Sequence, residues 1–473
     1  MKSLLCAGFL SVSFLGGCFG AFAQKPSASD LARIDHDVRG AMSRFHVPGA
    51  AVMVIADGRV LFTHAYGDRD LQRGLPVKTD TLFEIGSITK QFTAASILQL
   101  RDQGKLKLDD TLSVYLPDAP HAKEVTLRNL LTHTSGLHDY FDMPDTDFDD
   151  LAAHPIAYQN LMARVAPLPL DFAPGSQWSY SNTGYLLLGR VIEVVSKEGY
   201  KEYLQHHILK PLHMKHTFTT ADEGRLPNMA VGYRYQQGKI EVAPFLHPSW
   251  GSSAGFLISN LNDLSRWDRA LRGGIVLSPA SYREMSTAFI TTKSGSADYG
   301  FGLFVDSMYG QPRIGHTGGA QGFTTADEYY PAQRMRIIAF TNSGDKSPEA
   351  GETITNILFA DLNPVVAANA MKAAPGEDQV VTRMVQDAFH ELQIGTNYSR
   401  FSSRLREKFA STGSKFTAEL SPYGSATAAV YKRTRQVSGD TWYDYVMQFG
   451  PGVSIPFSVR TDKEGVVAGF SLG

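Results

Sequence analysis

Cysteine is nearly absent from this chain of 473 residues, and both cysteines, Cys6 and Cys18, lie close to the N-terminus. A mature chain that begins after them has no thiol, which excludes disulfide bonds, thiol catalysis and cysteine-based zinc sites. The chain also lacks an excess of either charge sign, because its formal net charge is −2 and no basic run occurs. We therefore expect neither nucleic acid nor an anionic membrane surface as a partner. The length favours two domains.

Residues 1–23 have the pattern of an export signal peptide. Lys2 precedes an apolar stretch, and Ala-Phe-Ala at 21–23 resembles a signal-peptidase site. The apolar stretch is short and interrupted by glycine, so we expect no membrane span. Leu-Gly-Gly-Cys, which ends at Cys18, is also similar to a lipobox. We expect an exported protein, periplasmic or secreted, with a lipoprotein anchored through Cys18 as the alternative.

The remaining chain divides into a domain at 24–363, a linker at 364–379 and a C-terminal domain at 380–473. In the first domain, helical patterns stand at both ends and four strand-like stretches follow one another between 299 and 342. Consecutive strands with helices at both ends predict an antiparallel sheet flanked by helices. In the last domain, two helical patterns precede four strands, which predicts a small α+β domain with a nuclear-transport-factor-like or a cystatin-like fold as the two candidates.

Ser87 and Lys90 are a candidate nucleophile and its proton acceptor. They stand three residues apart where an apolar helix begins, so their side chains share one face. A helix N-terminus offers free N–H groups and a positive dipole end to an oxyanion. Burial would lower the pKa of the amine enough for it to take the serine proton. Taken alone, the pair also fits an ordinary helix start with a surface lysine.

Two later motifs change that interpretation: Tyr-Ser-Asn at 180–182 and His-Thr-Gly-Gly at 316–319. Together with the Ser87 motif they resemble, in order and spacing, the serine β-lactamase and penicillin-binding-protein superfamily. The likeness is to its class C-like branch, with esterase and D-amino-acid peptidase relatives, and it covers residues 28–362. It implies a β-lactamase-like α/β (α+β) fold in which an antiparallel sheet is flanked by helices and accompanied by a helical subdomain.

The resemblance also implies a role for each motif residue. Ser87 would be the acylated nucleophile, Lys90 would share or relay its proton, and Tyr180 would be the general base. Backbone N–H groups of Ser87 and Gly319 would form the oxyanion hole. The residues that would contact the substrate are Asn182, which would also hold the lysine, and His316, Thr317, Gly318 and Gly319.

His316 departs from the pattern of the β-lactamases themselves, which carry lysine in the first place of the third motif. Lysine provides a fixed positive charge for a substrate carboxylate, whereas histidine is mostly neutral above a pKa of about 6.5. We therefore expect weak β-lactam hydrolysis, while the acyl-enzyme mechanism is retained.

Other residues that could serve in catalysis or metal binding fit such roles less well. His133 ends a short predicted helix, where a histidine is more often structural than catalytic. Ser253 lies in a Gly-x-Ser-x-Gly pattern but lacks the preceding strand and following helix of an α/β-hydrolase. A histidine cluster lacks the carboxylate of a metalloprotease pattern, so we expect no metal site and no cofactor. The members of this cluster are His206, His207, His213 and His216.

The sequence therefore predicts an exported serine hydrolase that forms an acyl-enzyme with an ester or amide. The substrate would be a D-amino-acid peptide, a small ester or a β-lactam-like compound, and the enzyme an esterase, D-aminopeptidase or carboxypeptidase. A small molecule or peptide is thus the expected partner, and the pattern indicates no oligomeric state. The alternative is a non-catalytic β-lactamase-like binding or regulatory module, against which the retention of all the polar motif residues argues.

Overall fold

The computed structural model describes residues 25–142, 148–219, 226–291, 298–344, 350–437, 440–450, 453–462 and 465–472. The predicted export signal, with Cys6 and Cys18, lies outside them. The helices are α1 (Ala28–Arg44), α2 (Thr89–Asp102), α3 (Leu127–Leu131), α4 (Phe148–Ala152), α5 (Tyr158–Val165), α6 (Asn182–Ser196), α7 (Tyr200–Leu204), α8 (Ser252–Gly255), α9 (Leu261–Arg272), α10 (Pro279–Met285), α11 (Ala350–Leu362), α12 (Pro364–Ala370), α13 (Gln379–Ile394) and α14 (Ser403–Leu420).

The strands follow the same chain order and are mostly short. They are β1 (Gly49–Ala56), β2 (Arg59–Asp70), β3 (Leu75–Pro76), β4 (Phe83–Glu84), β5 (Phe218–Thr219), β6 (Tyr233–Gln236), β7 (Lys239–Val242), β8 (Leu257–Ser259), β9 (Ile290–Thr291), β10 (Asp298–Tyr299), β11 (Phe304–Met308), β12 (Gln311–Ala320), β13 (Phe323–Tyr330), β14 (Met335–Thr341), β15 (Ala428–Val437), β16 (Asp440–Gly450), β17 (Val453–Thr461) and β18 (Val467–Leu472).

Nine strands form one sheet in the order β3-β2-β1-β14-β13-β12-β11-β10-β9. The pairings are antiparallel, and β1 is buried along its whole length between β2 and β14. Side chains alternate between the two faces of a strand, so a sheet that is covered on both faces separates two hydrophobic cores. Smaller sheets are formed by β4, β8 and β5 and by the β6–β7 hairpin.

Each of the two cores joins a different set of helices to one face of the large sheet. On one face, Met53 and Ile338 pack with Phe92 of α2. On the other, Val52 packs with Val38 of α1 and with residues of α11. The helix α2 is therefore held between the sheet and other helices of this core, which include α6, and this burial fixes the position of the residues at its start.

The C-terminal unit consists of α13 and α14 against an antiparallel sheet in the order β15-β16-β17-β18. Its aromatic core, which includes Phe389, belongs to the second core together with α1 and α11. Arg44 of α1 donates to the carbonyl of Phe449 over 3.2 Å, and the ring centroids of Phe45 and Tyr423 are 5.8 Å apart. The C-terminal unit thus packs on the side of the large sheet that is opposite to α2.

These findings confirm the predicted fold class, including a separate C-terminal α+β unit, whose assignment as nuclear-transport-factor-like or cystatin-like stays a prediction. The segment at 364–379, which we expected to be a linker, is helical over its first half. Pro364 occupies the first helical position, where its fixed φ favours a helix start, and alanine and valine follow. Within the described part of the chain, none of the helices has the length and apolar character that crossing a bilayer requires.

Candidate active site

Ser87 lies in a 3-10 turn, Gly86–Ile88, that leads directly into α2. Gly86 adopts a φ of +51°, which favours glycine. Ser87 is half-buried, whereas Ile88 and Lys90 are completely buried. The hydroxyl therefore reaches the surface at the positive end of a long buried helix, where negative charge is favoured.

The side-chain nitrogen of Lys90, Nζ, contacts three oxygen atoms. It lies 3.1 Å from Ser87 Oγ, 2.8 Å from Asn182 Oδ1 and 2.7 Å from the carbonyl of Ala254. The amide oxygen and the carbonyl can only accept hydrogen bonds. A neutral amine satisfies both with its two hydrogens, and its lone pair is then directed at the serine hydroxyl. This is the geometry that a proton acceptor for Ser87 requires.

Burial lowers the pKa of Lys90 to about 7, although the nearby carboxylate of Asp139 opposes the shift. Removal from water penalises the charged amine, and a negative neighbour favours it. The pKa of Asp139 is itself raised by burial. A substantial fraction of Lys90 is therefore neutral at neutral pH, which a solvent-exposed lysine would not be.

Tyr180 stands in the loop before α6, and its ring centroid is 4.6 Å from Lys90 Nζ. The next residue, Ser181, is the N-cap of α6, and its side chain accepts from the backbone N–H of Gly184. The backbone of this N-cap residue is extended. Its two chain neighbours, Tyr180 and Asn182, both contact Lys90 Nζ.

Asn182 is held by Asp139, a residue that sequence reasoning missed. One carboxylate oxygen, Oδ2, accepts from the backbone N–H of Asn182 over 2.9 Å and from its side-chain Nδ2 over 2.8 Å. The other, Oδ1, accepts from Phe141 N–H over 3.0 Å. Because the carboxylate can only accept, it directs the amide nitrogen toward itself and the amide oxygen toward Lys90. Asp139 lies in a stretch without periodicity, so no sequence signal indicated it.

The third motif runs along β12, beside the turn that carries Ser87. A Cβ atom on Gly86 would lie 2.6 Å from the carbonyl oxygen of Gly319 and 2.7 Å from its nitrogen. A Cβ atom on Gly318 would lie 2.1 Å from the carbonyl oxygen of Ile85. Only glycine permits such an approach of two backbones. At Gly319 itself a Cβ atom would meet no atom of the described residues within 4 Å.

His316 is buried, and both of its ring nitrogens have partners inside the protein. Nδ1 lies 2.5 Å from the carbonyl of Thr317, which makes it the donor, and Nε2 accepts from the Tyr299 hydroxyl over 3.0 Å. Burial and the proximity of Lys90 lower the pKa of His316 to about 3. The ring is therefore neutral at physiological pH, and Thr317 is the half-exposed member of the motif beside it.

The three motifs thus meet around Ser87, while the other candidates are placed differently. Ser253 is fully buried in α8 and donates to the carbonyl of Tyr185 over 2.9 Å. Its neighbour Ala254 contributes the carbonyl that contacts Lys90, which sequence reasoning also missed. His206 and His207 both contact the carboxylate of Glu198. In the described ranges no group of three or more His, Cys, Asp or Glu residues could hold a metal ion.

Comparison with known proteins agrees with this geometry. Residues 34–362 match the family model described as Beta-lactamase, and the chain belongs to this family. Penicillin-binding protein 4* of Bacillus subtilis strain 168 is 30% identical over 316 residues, which cover 63% of this chain and 68% of that protein. The family match at residues 34–362 includes all three motifs.

Solved structures show the same likeness. A D-stereospecific amidohydrolase from Streptomyces sp. is 29% identical with a TM-score of 0.59, covering 67% of this chain and 96% of that one. An octameric penicillin-binding protein homologue from Pyrococcus abyssi has a TM-score of 0.62 at 22% identity, and it covers 94% of this chain and 99% of that one. The second likeness is one of fold alone and extends into the C-terminal unit. The protein is therefore a serine hydrolase of the β-lactamase-like type.

Proposed function

We propose that the protein is an exported hydrolase in which Ser87 attacks the carbonyl of an ester or amide and forms an acyl-enzyme. The single observation that carries this proposal is the contact set of Lys90, whose nitrogen lies 3.1 Å from Ser87 Oγ. The amine takes the serine proton as the C–O bond forms. The backbone N–H groups of Ser87 and Gly319 stabilise the resulting oxyanion. The bond to the leaving group then breaks, and Tyr180 passes to the leaving group the proton that Lys90 relays to it. In the second half-reaction Tyr180 takes a proton from water, the water oxygen attacks the acyl carbonyl, and Ser87 regains its proton as the ester bond breaks.

The preferred substrates in this proposal are amides and esters of D-amino acids without a free carboxylate at the leaving group. Two observations support this choice. His316 is buried and neutral, so the third motif carries no fixed positive charge for a substrate carboxylate. The similar Streptomyces protein is by its title a D-stereospecific amidohydrolase. β-Lactams and peptides with a C-terminal carboxylate would then be slow substrates.

A covalent probe tests the nucleophile. The purified full-length protein is incubated with a fluorophosphonate, and the adduct is located by mass spectrometry. Ser253→Ala is the matched control, because it removes the other serine that sits in a nucleophile-like motif. We expect wild type and Ser253→Ala to carry one adduct on Ser87 and Ser87→Ala to carry none. Equal labelling of Ser87→Ala would overturn the proposal.

A substrate panel tests the preference. It compares D-alanine amide, L-alanine amide, a nitrophenyl ester, an acetylated D-alanyl-D-alanine peptide and nitrocefin. We expect kcat/KM to be highest for the D-amide and the ester and at least about tenfold lower for the two compounds with a carboxylate. A preference for the peptide or for nitrocefin would refute the substrate assignment while leaving the acyl-enzyme intact.

Export rests on residues 1–23 and is tested separately. Expression of the full chain in a Gram-negative host, followed by fractionation and N-terminal mass analysis, should find a mature chain that begins at Gln24. An acylated N-terminus at Cys18 would support the lipoprotein alternative, and an intact chain in the cytoplasm would contradict export.

A further inference from the structure

We propose that His133 is a positioning residue that holds Tyr180 in place over Lys90. The inference rests on the proposed function, since it concerns the residue that is to move protons there. The side chain and the backbone of His133 both bind the loop that carries Tyr180, and they bind it on the two sides of the tyrosine.

The contacts of His133 enclose the tyrosine. The carbonyl of His133 accepts from the backbone N–H of Ser179 over 3.0 Å. Its ring nitrogen Nδ1 accepts from the backbone N–H of Ser181 over 3.1 Å. The residue before Tyr180 and the residue after it are thus bound to the same histidine. In addition, the imidazole and phenol ring centroids are only 4.3 Å apart. The backbone and the ring of Tyr180 are both restrained by one residue.

The ring of His133 is suited to this task because it stays neutral. It is 1% exposed, and burial together with the proximity of Lys90 and His316 holds the pKa of His133 well below its ordinary value. Nδ1 therefore keeps the lone pair that accepts from Ser181. The proton of the neutral ring is on Nε2, which has no hydrogen-bond partner within the described chain. The imidazole ring of His133 thus binds the loop through Nδ1 alone.

The backbone of His133 adds a second observation. The residue follows the C-cap of α3 with a φ of +57°, where glycine is favoured at the end of a helix. A residue with a side chain is disfavoured in this conformation. This conformation turns the carbonyl and the ring of His133 toward the 179–181 loop. A glycine would fit the backbone better but could not accept from Ser181 through a side chain.

Two variants that both tolerate a positive φ separate positioning from folding. His133→Asn places an amide oxygen near the position of Nδ1 and can keep the hydrogen bond, whereas His133→Gly cannot. With a nitrophenyl ester, we expect kcat of the glycine variant to fall by about 100-fold, the scale of general acid–base catalysis, with little change in KM. We expect His133→Asn to restore kcat to within about tenfold of wild type. Should the glycine variant not fold, His133→Gln, whose oxygen is one bond farther from the backbone, replaces it.

A glycine variant with the kcat of wild type would overturn the inference, and so would an asparagine variant as slow as the glycine variant. Crystal structures of the two variants give a readout that needs no activity. The Tyr180 ring should be displaced from Lys90 in His133→Gly and remain in place in His133→Asn; a ring in place in both variants would refute the inference. Failure of the proposed function is distinguishable, because wild type itself would then form no adduct on Ser87.

Discussion

One carboxylate oxygen of Asp139 accepts hydrogen bonds from both the backbone and the side-chain nitrogen of Asn182. The amide oxygen of Asn182 is thereby turned toward Lys90. The same carboxylate raises the pKa of Lys90 against the effect of burial. Asp139 thus acts on the lysine twice, through the orientation of an amide and through its charge.

Replacement of Asp139 by asparagine should shift the pH dependence of the reaction. The variant keeps an oxygen for Asn182 but removes the negative charge, so the pKa of Lys90 should fall further below about 7. The acidic limb of kcat/KM should therefore move to lower pH. The new amide nitrogen would face a backbone donor and lower the free energy of unfolding by about 1–3 kcal/mol. If the acidic limb of kcat/KM stays at the wild-type pH in a folded variant, Asp139 does not raise the pKa of Lys90.

The pH–rate profile of the wild type follows from the same lysine. Lys90 must be neutral to accept the proton of Ser87, and its pKa is about 7. With an uncharged ester, kcat/KM should be constant above that pH and fall by about tenfold per pH unit below it. His316 should add no limb between pH 5 and 9, because its pKa is about 3. A profile that is flat from pH 5 to 8 would show that Lys90 is not the acceptor.

Two adjacent glycines should respond differently to alanine. In Gly318→Ala the new Cβ atom would lie 2.1 Å from the carbonyl oxygen of Ile85, which forces the strand away from the Ser87 turn. We expect a loss of about 3 kcal/mol of unfolding free energy and strongly reduced probe labelling. In Gly319→Ala the Cβ atom meets nothing within 4 Å in the part of the chain that the structure describes, so stability should be unchanged. Equal thermal stability of the two variants would contradict the close approach of Gly318 to the backbone of Ile85.

The shared core predicts that the C-terminal unit and the first domain unfold together. Phe389 is fully buried, and its ring contacts those of Phe449 and Phe457. Phe389→Ala should cost about 3–5 kcal/mol through the cavity that it leaves. Urea unfolding followed by fluorescence and by residual activity should show one transition at a lower midpoint. Activity that survives while the fluorescence transition moves would show that the two units unfold independently.

The sequence was sufficient to find the motif residues because each motif has a local signature. Ser87 and Lys90 share a helix face, and Gly318 belongs to a glycine pair that allows close backbone contact. The antiparallel sheet could also be predicted, since consecutive strand patterns were joined by short turns. Such signals lie within a few neighbouring residues and do not depend on the rest of the fold.

The contacts that set the chemistry of these residues could not be predicted. The carbonyl of Ala254 is 164 residues from Lys90 in sequence, and it carries no side-chain signal at all. Asp139 is 43 residues from Asn182, in a stretch without periodicity. The burial of His316 is likewise a property of the folded chain: burial and Lys90 lower its pKa, and its ring partners are the Tyr299 hydroxyl and a strand carbonyl. Long-range packing decides such features.

The interlocked backbones of Gly86 and Gly318 have a consequence for protein engineering. The wall behind the nucleophile consists of main chain with no room for a side chain, so it offers no position at which a library could diversify the enzyme. A Cβ atom on Gly319, in contrast, meets none of the described residues within 4 Å. Side chains introduced there would narrow the space beside Ser87 without disturbing the fold.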